Sequence, residues 1–268
     1  MSILEVEAVG ITFGGLVAVE NVSFKAEAGQ ILSIIGPNGA GKTTLFNIVS
    51  GVYRTNNGAL RIDGVPVTGL PPHRLAQRGM SRTFQNLQIF GRMTALENVL
   101  VGGHRHAGLS VFHYAFRLPG CVGQDKAMAA AAQVLLDKVG LGEYATAPAA
   151  SMPYGALKRL EIARALACQP RILLLDEPAA GLNEAETVVL ERLLRDIAKS
   201  GVALVLVEHD MKLVMNISDR VLVLDRGRML MEGRPTEVAR DPRVIEAYLG
   251  SSFGIGDTDE KQSEVGHA

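Results

Sequence analysis

The stretch that most constrains this chain is "ILSIIGPNGAGKTTLFNIVSG", residues 31–51. A strand-length apolar run enters a glycine-rich turn, and a helix-like segment follows. The turn fits G-x-x-x-x-G-K-[ST] in the strand–loop–helix context that the pattern requires. Gly36, Gly39 and Gly41 let the backbone curl tightly, so that N–H groups point inward as a nest for phosphate oxygens. Pro37, Asn38 and Ala40 complete the loop, and the helix beginning near Lys42 adds its positive end. The Lys42 ammonium can reach β- and γ-phosphates, and the Thr43 hydroxyl can hold Mg²⁺. Thr44 is the last residue expected at the nucleotide.

A second stretch, "RILLLDEP", reads as a central strand closed by two carboxylates. Asp176 sits at the strand's C-terminal end, where ligands collect in open α/β sheets, and can orient Mg²⁺ through water. Glu177 beside it can take the proton from an attacking water. Gln85 follows the strand "SRTFQ" and offers an amide oxygen to Mg²⁺ or water. His209 lies just past "VALVLV", in the same topological position as Asp176, and can donate to a γ-phosphate while orienting Glu177. Each of these four also has a plain reading, as solvated charge, surface amide or structural histidine. The phosphate loop tips the balance for the carboxylates.

Between these pieces the rhythm is that of an α/β chain. Residues 3–35 alternate apolar and polar before turning fully apolar, "LRIDGVPV" reads as a hairpin around Asp63-Gly64, and "PPHRLAQRG" as a short helix. From about 86 to 150 the β signal fades into helices, "ALENVLVGGHRH" and "DKAMAAAAQVLLDKVG", joined by "RLPGCVGQ". Strand and helix then alternate to "RVLVLDRG", which implies a mainly parallel sheet. Residues 251–268 are polar and Gly/Ser-rich and read as a disordered tail. His104, His106 and His113 lack a carboxylate or thiolate at ligand spacing, so a metal site there is not expected.

Composition matters for excluding partners. The formal net charge of -1 offers no basic surface for nucleic acid. The two cysteines make neither a disulfide framework nor a zinc spacing, as expected of an intracellular protein, and no apolar run is long enough to span a membrane.

The order of the pieces is informative: glycine-rich loop, glutamine, a turn before a helix, Asp-Glu, histidine. It resembles the ATPase subunits of ATP-binding cassette (ABC) transporters over about residues 3–250. "FGGLVAVENVSF", "SRTFQNLQIFGRMTALENVLVG", "PYG" with "RLEIARALA", "LLDEPAAGLN" and "EAYLG" are similar to the first of the two ATPase subunits of branched-chain amino acid importers. The resemblance implies a P-loop NTPase with a RecA-like mainly parallel sheet, an N-terminal antiparallel β subdomain and an inserted α-helical subdomain at about 86–160. It implies ATP and Mg²⁺ as ligands, and Phe13 as the aromatic that stacks on adenine. Two such cassettes close head to tail, each ATP lying between one chain's phosphate loop and the other's signature turn. That turn is usually L-S-G-G-Q; here it reads Met152-Pro153-Tyr154-Gly155-Ala156. The serine is missing and Pro153 lacks an N–H, yet Gly155, Ala156 and the helix that follows still offer donors to an anion. "AGLN", residues 180–183, matches the loop that crosses to the partner, with Asn183 where aspartate is common.

The implied partners are a second, different ATPase subunit, two transmembrane permeases met by the helical insert (Phe90 and Met93 as apolar contacts), and indirectly a solute-binding protein. The place is the cytoplasmic face of the inner membrane. A soluble cassette ATPase acting on nucleic acid or ribosomes, a nucleotide-gated interaction protein without useful hydrolysis, and a cassette of another importer or exporter are the rival readings.

Overall fold

In the computed structural model, which describes residues 2–85, 87–103 and 121–253, the chain opens on two twelve-residue strands. β1 (Ser2–Phe13) and β2 (Leu16–Glu27) pair antiparallel around Gly14-Gly15. The chain leaves them through β3 (Ile31–Ile35) and helix α1 (Lys42–Val49), then returns with β4 (Asn57–Ile62) and β5 (Val65–Pro66). The resulting sheet has the order β2-β1-β4-β5. Its last hairpin turns at Asp63-Gly64, as the sequence predicts, and Pro66 sits on the edge, where a missing N–H costs no ladder bond.

The second sheet holds the chemistry. Helix α2 (Pro72–Gln77) leads to β6 (Met80–Arg82); β7 (Ile172–Asp176), β8 (Ala203–Val207), β9 (Arg220–Asp225) and β10 (Arg228–Gly233) follow. The order is β10-β9-β3-β8-β7-β6, parallel throughout except for the β9–β10 hairpin. Every residue of β3, β7 and β8 is buried. Both faces of these strands are covered, which is why they read as unbroken apolar runs. Ile172 and Leu174 face one core with the antiparallel sheet and α1, while Leu173 and Leu175 face another with the helices.

Among the described residues the helical stretch holds α3 (Ala95–Gly103), α4 (Cys121–Lys138) and α5 (Tyr154–Leu166), all between β6 and β7. Cys121 to Gln124, read from the sequence as connector, already belong to α4. Helix α6 (Glu184–Lys199) starts at a full capping box: Asn183 accepts from the Glu186 N–H, and Glu186 accepts from the Asn183 N–H. Helix α7 (Met211–Ile217), α8 (Pro235–Val238) and α9 (Pro242–Phe253) are the last helices of the described residues. The first three residues of the expected tail, Ser251 to Phe253, finish α9; the rest of that expectation, and the histidines at 104, 106 and 113, lie outside the described residues.

Candidate nucleotide site

The phosphate loop is set by packing as much as by its own sequence. Gly36 leaves β3 at a φ of 152°, and a Cβ there would stand 2.2 Å from the Leu224 carbonyl oxygen. Gly41 caps α1 in the left-handed region, and a Cβ there would meet the Ala18 carbonyl oxygen of β2 at 2.6 Å. Both need glycine for backbone and space. No side chain caps α1, so the orphan N–H groups of its first turn stay open to an anion. Asn38 and Gly39 are exposed, Pro37 and Ala40 buried; Thr43 is exposed and Thr44 half-buried.

Lys42 folds back over the loop, donating from Nζ to Gly36 O (2.6 Å) and Pro37 O (2.9 Å). Burial lowers its pKa, and the charge of Glu177 works against that shift. Lysine and glutamate therefore share one electrostatic site, although 135 positions separate Lys42 from Glu177 in the sequence.

Asp176 ends β7 beside β8 on one side and β6 on the other. Its Oδ2 accepts from Arg82 (2.9 Å), whose other nitrogen bonds Asn47 Oδ1 (2.7 Å) and Ser50 Oγ (2.6 Å) at the end of α1. Burial raises the Asp176 pKa; Arg82 opposes that and Glu177 adds to it. Glu177 then turns the chain out of the sheet at a φ of 46°, an unusual conformation for a residue with a Cβ. Its N–H donates to Val207 O (2.9 Å), and Lys158 Nζ reaches its carbonyl oxygen (3.4 Å). Backbone held off its preferred region in this way is a known mark of functional sites.

The Glu177 carboxylate is where the sequence candidates meet. Gln85 Nε2 donates to Oε2 (3.2 Å), and His209 Nδ1 stands 3.9 Å from Oε1, at ion-pair reach but beyond a hydrogen bond. With its nitrogen turned to Glu177, the Gln85 amide leaves its oxygen for a cation. Together with the Thr43 hydroxyl and Asp176 this is an all-oxygen donor set, which fits Mg²⁺. Among the described residues no cluster of three His, Cys, Asp or Glu side chains suits a metal bound by protein alone.

Phe13 closes β1, is 44% exposed, and meets Tyr53 edge to face at 5.4 Å. A half-open ring braced by another aromatic is not a core phenylalanine.

The turn at 152–156 differs in detail from its sequence reading. Pro153 caps α5 and the helix begins at Tyr154, so Gly155 and Ala156 lie in its first turn, both buried. The Ala156 and Leu157 N–H groups donate to Pro153 O. The turn packs against the 180–183 segment: a Cβ on Gly155 would come 2.4 Å from Glu186 Oε1, and one on Gly181 would come 2.9 Å from the Tyr154 ring.

Four further residues belong to the site without a sequence motif of their own. Arg82 ties β6, α1 and Asp176 together. Lys158, only 3% exposed, places its ammonium 5.8 Å from the centre of the Tyr154 ring while reaching Glu177. Glu161, one turn on, accepts from the Phe84 N–H (3.3 Å) beside Gln85, and burial raises its pKa. Glu208 is 1% exposed and accepts the N–H groups of Ala179 (2.9 Å) and His209 (3.1 Å), holding the loops after β7 and β8 together. The available signal was Lys158 and Glu161 at helical spacing within the apolar "ALKRLEIARAL", a charged pair on a face that packs.

Comparison with known proteins gives the family. A family model described as ABC transporter matches residues 19–180. The chain belongs to the ABC transporter family. A second model, described as branched-chain amino acid ATP-binding cassette transporter, matches residues 228–254. Among relatives of this ABC chain, the high-affinity branched-chain amino acid transport ATP-binding protein BraF of Pseudomonas aeruginosa is 45% identical, over 93% of this chain and 98% of that one. The LivG protein of Escherichia coli, which carries the same description, is 41% identical over the same shares. The solved ADP conformation of MJ1267, an ATP-binding cassette of an ABC transporter, superposes with a TM-score of 0.82 at 31% identity, covering 93% of this chain and 99% of that one. The P-loop NTPase fold expected from the sequence is the one observed.

Proposed function

We propose that this protein is the ATP-hydrolysing subunit that powers import of branched-chain or related amino acids through a membrane transporter. One observation carries the catalytic part: the Glu177 carboxylate gathers Gln85 and His209 and interacts with Lys42 of the phosphate loop. The carboxylate takes a proton from water attacking in line at the γ-phosphate. Lys42 and the loop's N–H groups, with the free first turn of α1, stabilise charge on the phosphate oxygens. Gln85 and His209 orient the carboxylate and the water, and Phe13 stacks on adenine. Mg²⁺, held by Thr43 and Gln85 with Asp176 acting through water, would neutralise phosphate charge.

Among the described residues no helix is long and apolar enough to cross a membrane; ATPase subunits of branched-chain amino acid transporters work with membrane permeases. A cleft of about 500 Å³ between β6, α3 and α5 is a place for them to bear. Phe90 beside it is 48% exposed, with the Arg164 guanidinium 5.6 Å from its ring centre. Met93 is exposed nearby. On this reading the subunit sits at the cytoplasmic face of the inner membrane, with residues 3–250 as its cassette and about 86–160 as the subdomain that meets the permeases.

The turn from Pro153 to Ala156 lacks the serine hydroxyl that would contact a partner's γ-phosphate. A lost hydrogen bond to a charged group weakens an interaction by roughly 1.5–3 kcal/mol. We infer a heterodimer with a different cassette and two unequal ATP sites. The test is Glu177→Gln here and the equivalent change in the partner, one at a time, with ATP turnover and amino acid uptake measured in the assembled transporter. The substitution here should remove most turnover and uptake, and the partner's should remove much less. Equal losses would overturn the unequal sites; retained turnover in Glu177→Gln would overturn the general base.

A further inference from the structure

Glu208 carries a buried charge that takes no direct part in hydrolysis. It is 1% exposed, and among the described residues no lysine or arginine stands within ion-pair reach of it. A buried carboxylate is costly unless its oxygens are bonded, and here the bonds come from backbone. Oε1 accepts from the Ala179 N–H (2.9 Å), and Oε2 from the N–H groups of His209 (3.1 Å) and Asp210 (3.4 Å). The Glu208 N–H itself donates to Ile34 O (3.4 Å) on β3. An apolar side chain here would be cheaper to bury, but it could not accept from two turns at once. One residue thus joins the turn after β7, the turn after β8 and the strand that feeds the phosphate loop.

The two turns it joins carry Glu177 and His209. Ala179 lies two residues past Glu177 in a folded turn: the Ala180 N–H donates to Glu177 O (3.1 Å), and the Leu182 N–H donates to Ala179 O (3.0 Å). Glu177 holds a φ of 46°, which persists only where the surroundings over-determine it. The His209 side chain is 65% exposed, with Nδ1 3.9 Å from Glu177 Oε1 and 4.0 Å from Glu208 Oε2. Packing does little to fix that ring, so its position depends on the backbone that Glu208 holds. Asp210, bonded to the same oxygen, caps α7 by accepting from the Leu213 N–H (3.1 Å). The turn after β7 runs on into 180–183, where Gly181 lies against the Tyr154 ring.

We propose that Glu208 is a positioning residue for hydrolysis, whose carboxylate locks the Glu177 turn and the His209 turn in one arrangement and ties both to segment 180–183. It acts on the chemical step rather than on nucleotide binding, because the phosphates lie on loop 36–44, which its side chain does not contact. A shift of 180–183 against a partner cassette reaches His209 through this one carboxylate. The proposal rests on the reading of Glu177 as the general base.

The experiment uses two variants in the assembled transporter. Glu208→Gln keeps the shape and turns one acceptor into a donor, so at least one turn loses its bond. Glu208→Asp keeps the charge and is one methylene too short to serve both turns. In each, kcat for ATP should fall about tenfold with KM within about twofold, as expected when reacting groups are misplaced but binding is not. Amide exchange in the full chain should speed severalfold over 177–183, 207–212 or both. Ile197→Val, which trims a buried residue of α6, is the control for a general loss of stability. It should lower Tm with kcat within about twofold of wild type. Wild-type kcat in either folded Glu208 variant would overturn the proposal, as would a rise in KM that matches the fall in kcat, or an equal loss in Ile197→Val. Should neither variant fold, wild type decides: unprotected amides at Ala179 and His209 would overturn the brace, and kcat that tracks folded fraction alone would overturn its catalytic role. Turnover retained in Glu177→Gln would overturn the general base beneath it; Glu177→Gln inactive with both Glu208 variants fully active would overturn this role alone.

Discussion

Replacing Arg82 with Met keeps the side chain's length and removes its charge, and the consequences can be worked from the structure. The guanidinium makes three hydrogen bonds, to Asn47, Ser50 and Asp176, and lies between the rings of Phe46 and Phe84 at 4.8 and 5.2 Å. The Arg82 and Asp176 side chains are 12% and 6% exposed, so little water can take over. Breaking one side of a buried ion pair costs about 3–5 kcal/mol, most of it from the charge left behind. For a chain near this size each kcal/mol lowers Tm by roughly 2–4 °C, so a fall of about 6–20 °C is expected. The pH dependence has a definite sign. Burial already raises the Asp176 pKa against the pull of Arg82, and losing Arg82 raises it further. A carboxyl whose folded pKa lies above its unfolded one contributes stability that is fully present below the unfolded pKa. That contribution is lost as pH rises through the folded pKa. The deficit of Arg82→Met should therefore be larger at pH 8 than at pH 5. Adding Asp176→Asn should recover part of it. The assay is thermal unfolding of wild type and both variants at the two pH values. A deficit of equal size at both, with no recovery in the double variant, would refute the uncompensated carboxylate as its cause.

Lys158→Met should lower ATP turnover in the assembled transporter at least tenfold with KM for ATP within about twofold, because it loosens Glu177 and leaves the phosphate loop alone. In a Glu177→Gln background it should add almost nothing, and additive losses would show that Lys158 acts elsewhere. Asn183→Ala removes the side-chain half of the α6 cap and should cost about 0.5–2 kcal/mol in denaturant unfolding; Asn183→Asp should be neutral in the same measurement. Phe13→Ala should weaken MgATP binding severalfold in a nucleotide titration while Tm moves by only a degree or two, since the ring is half open to solvent. Phe90→Asp should abolish amino acid uptake with MgATP binding intact; loss of binding as well would place its effect in the fold.

The site's parts differ in how far the sequence alone reveals them. Gly36, Gly41, Lys42 and Thr43 are legible because a strand, a tight loop and a helix start each impose local backbone rules within a dozen residues. Asp176 is legible because a buried strand demands an apolar run, and the carboxylates mark its end. Gln85 and His209 are legible only as strand-end residues, and it is the parallel order β8-β7-β6 that brings them to Glu177. Phe13 is named by resemblance alone, and only the folded chain shows that its ring stands half open against Tyr53. Lys158 and Glu161 leave only the trace of charge at helical spacing in an apolar stretch, and Arg82 and Glu208 leave none, since a charged residue on a helix or strand looks the same whether it faces water or a partner brought by the fold.

The sequence by itself determined the chemistry this chain carries: a phosphate loop, a paired Asp-Glu at a strand end, and the alternation that builds a parallel sheet. These follow from short-range constraints on φ, ψ and side-chain period. The tertiary structure alone decided how that chemistry is held. Arg82 reaches Asp176 across 94 positions, and Lys158 comes from the helix before β7 to reach the Glu177 carbonyl oxygen. The physical reason is that burial turns a weak, solvent-screened contact into a strong one, and only the folded chain determines which charges and hydroxyls are buried together.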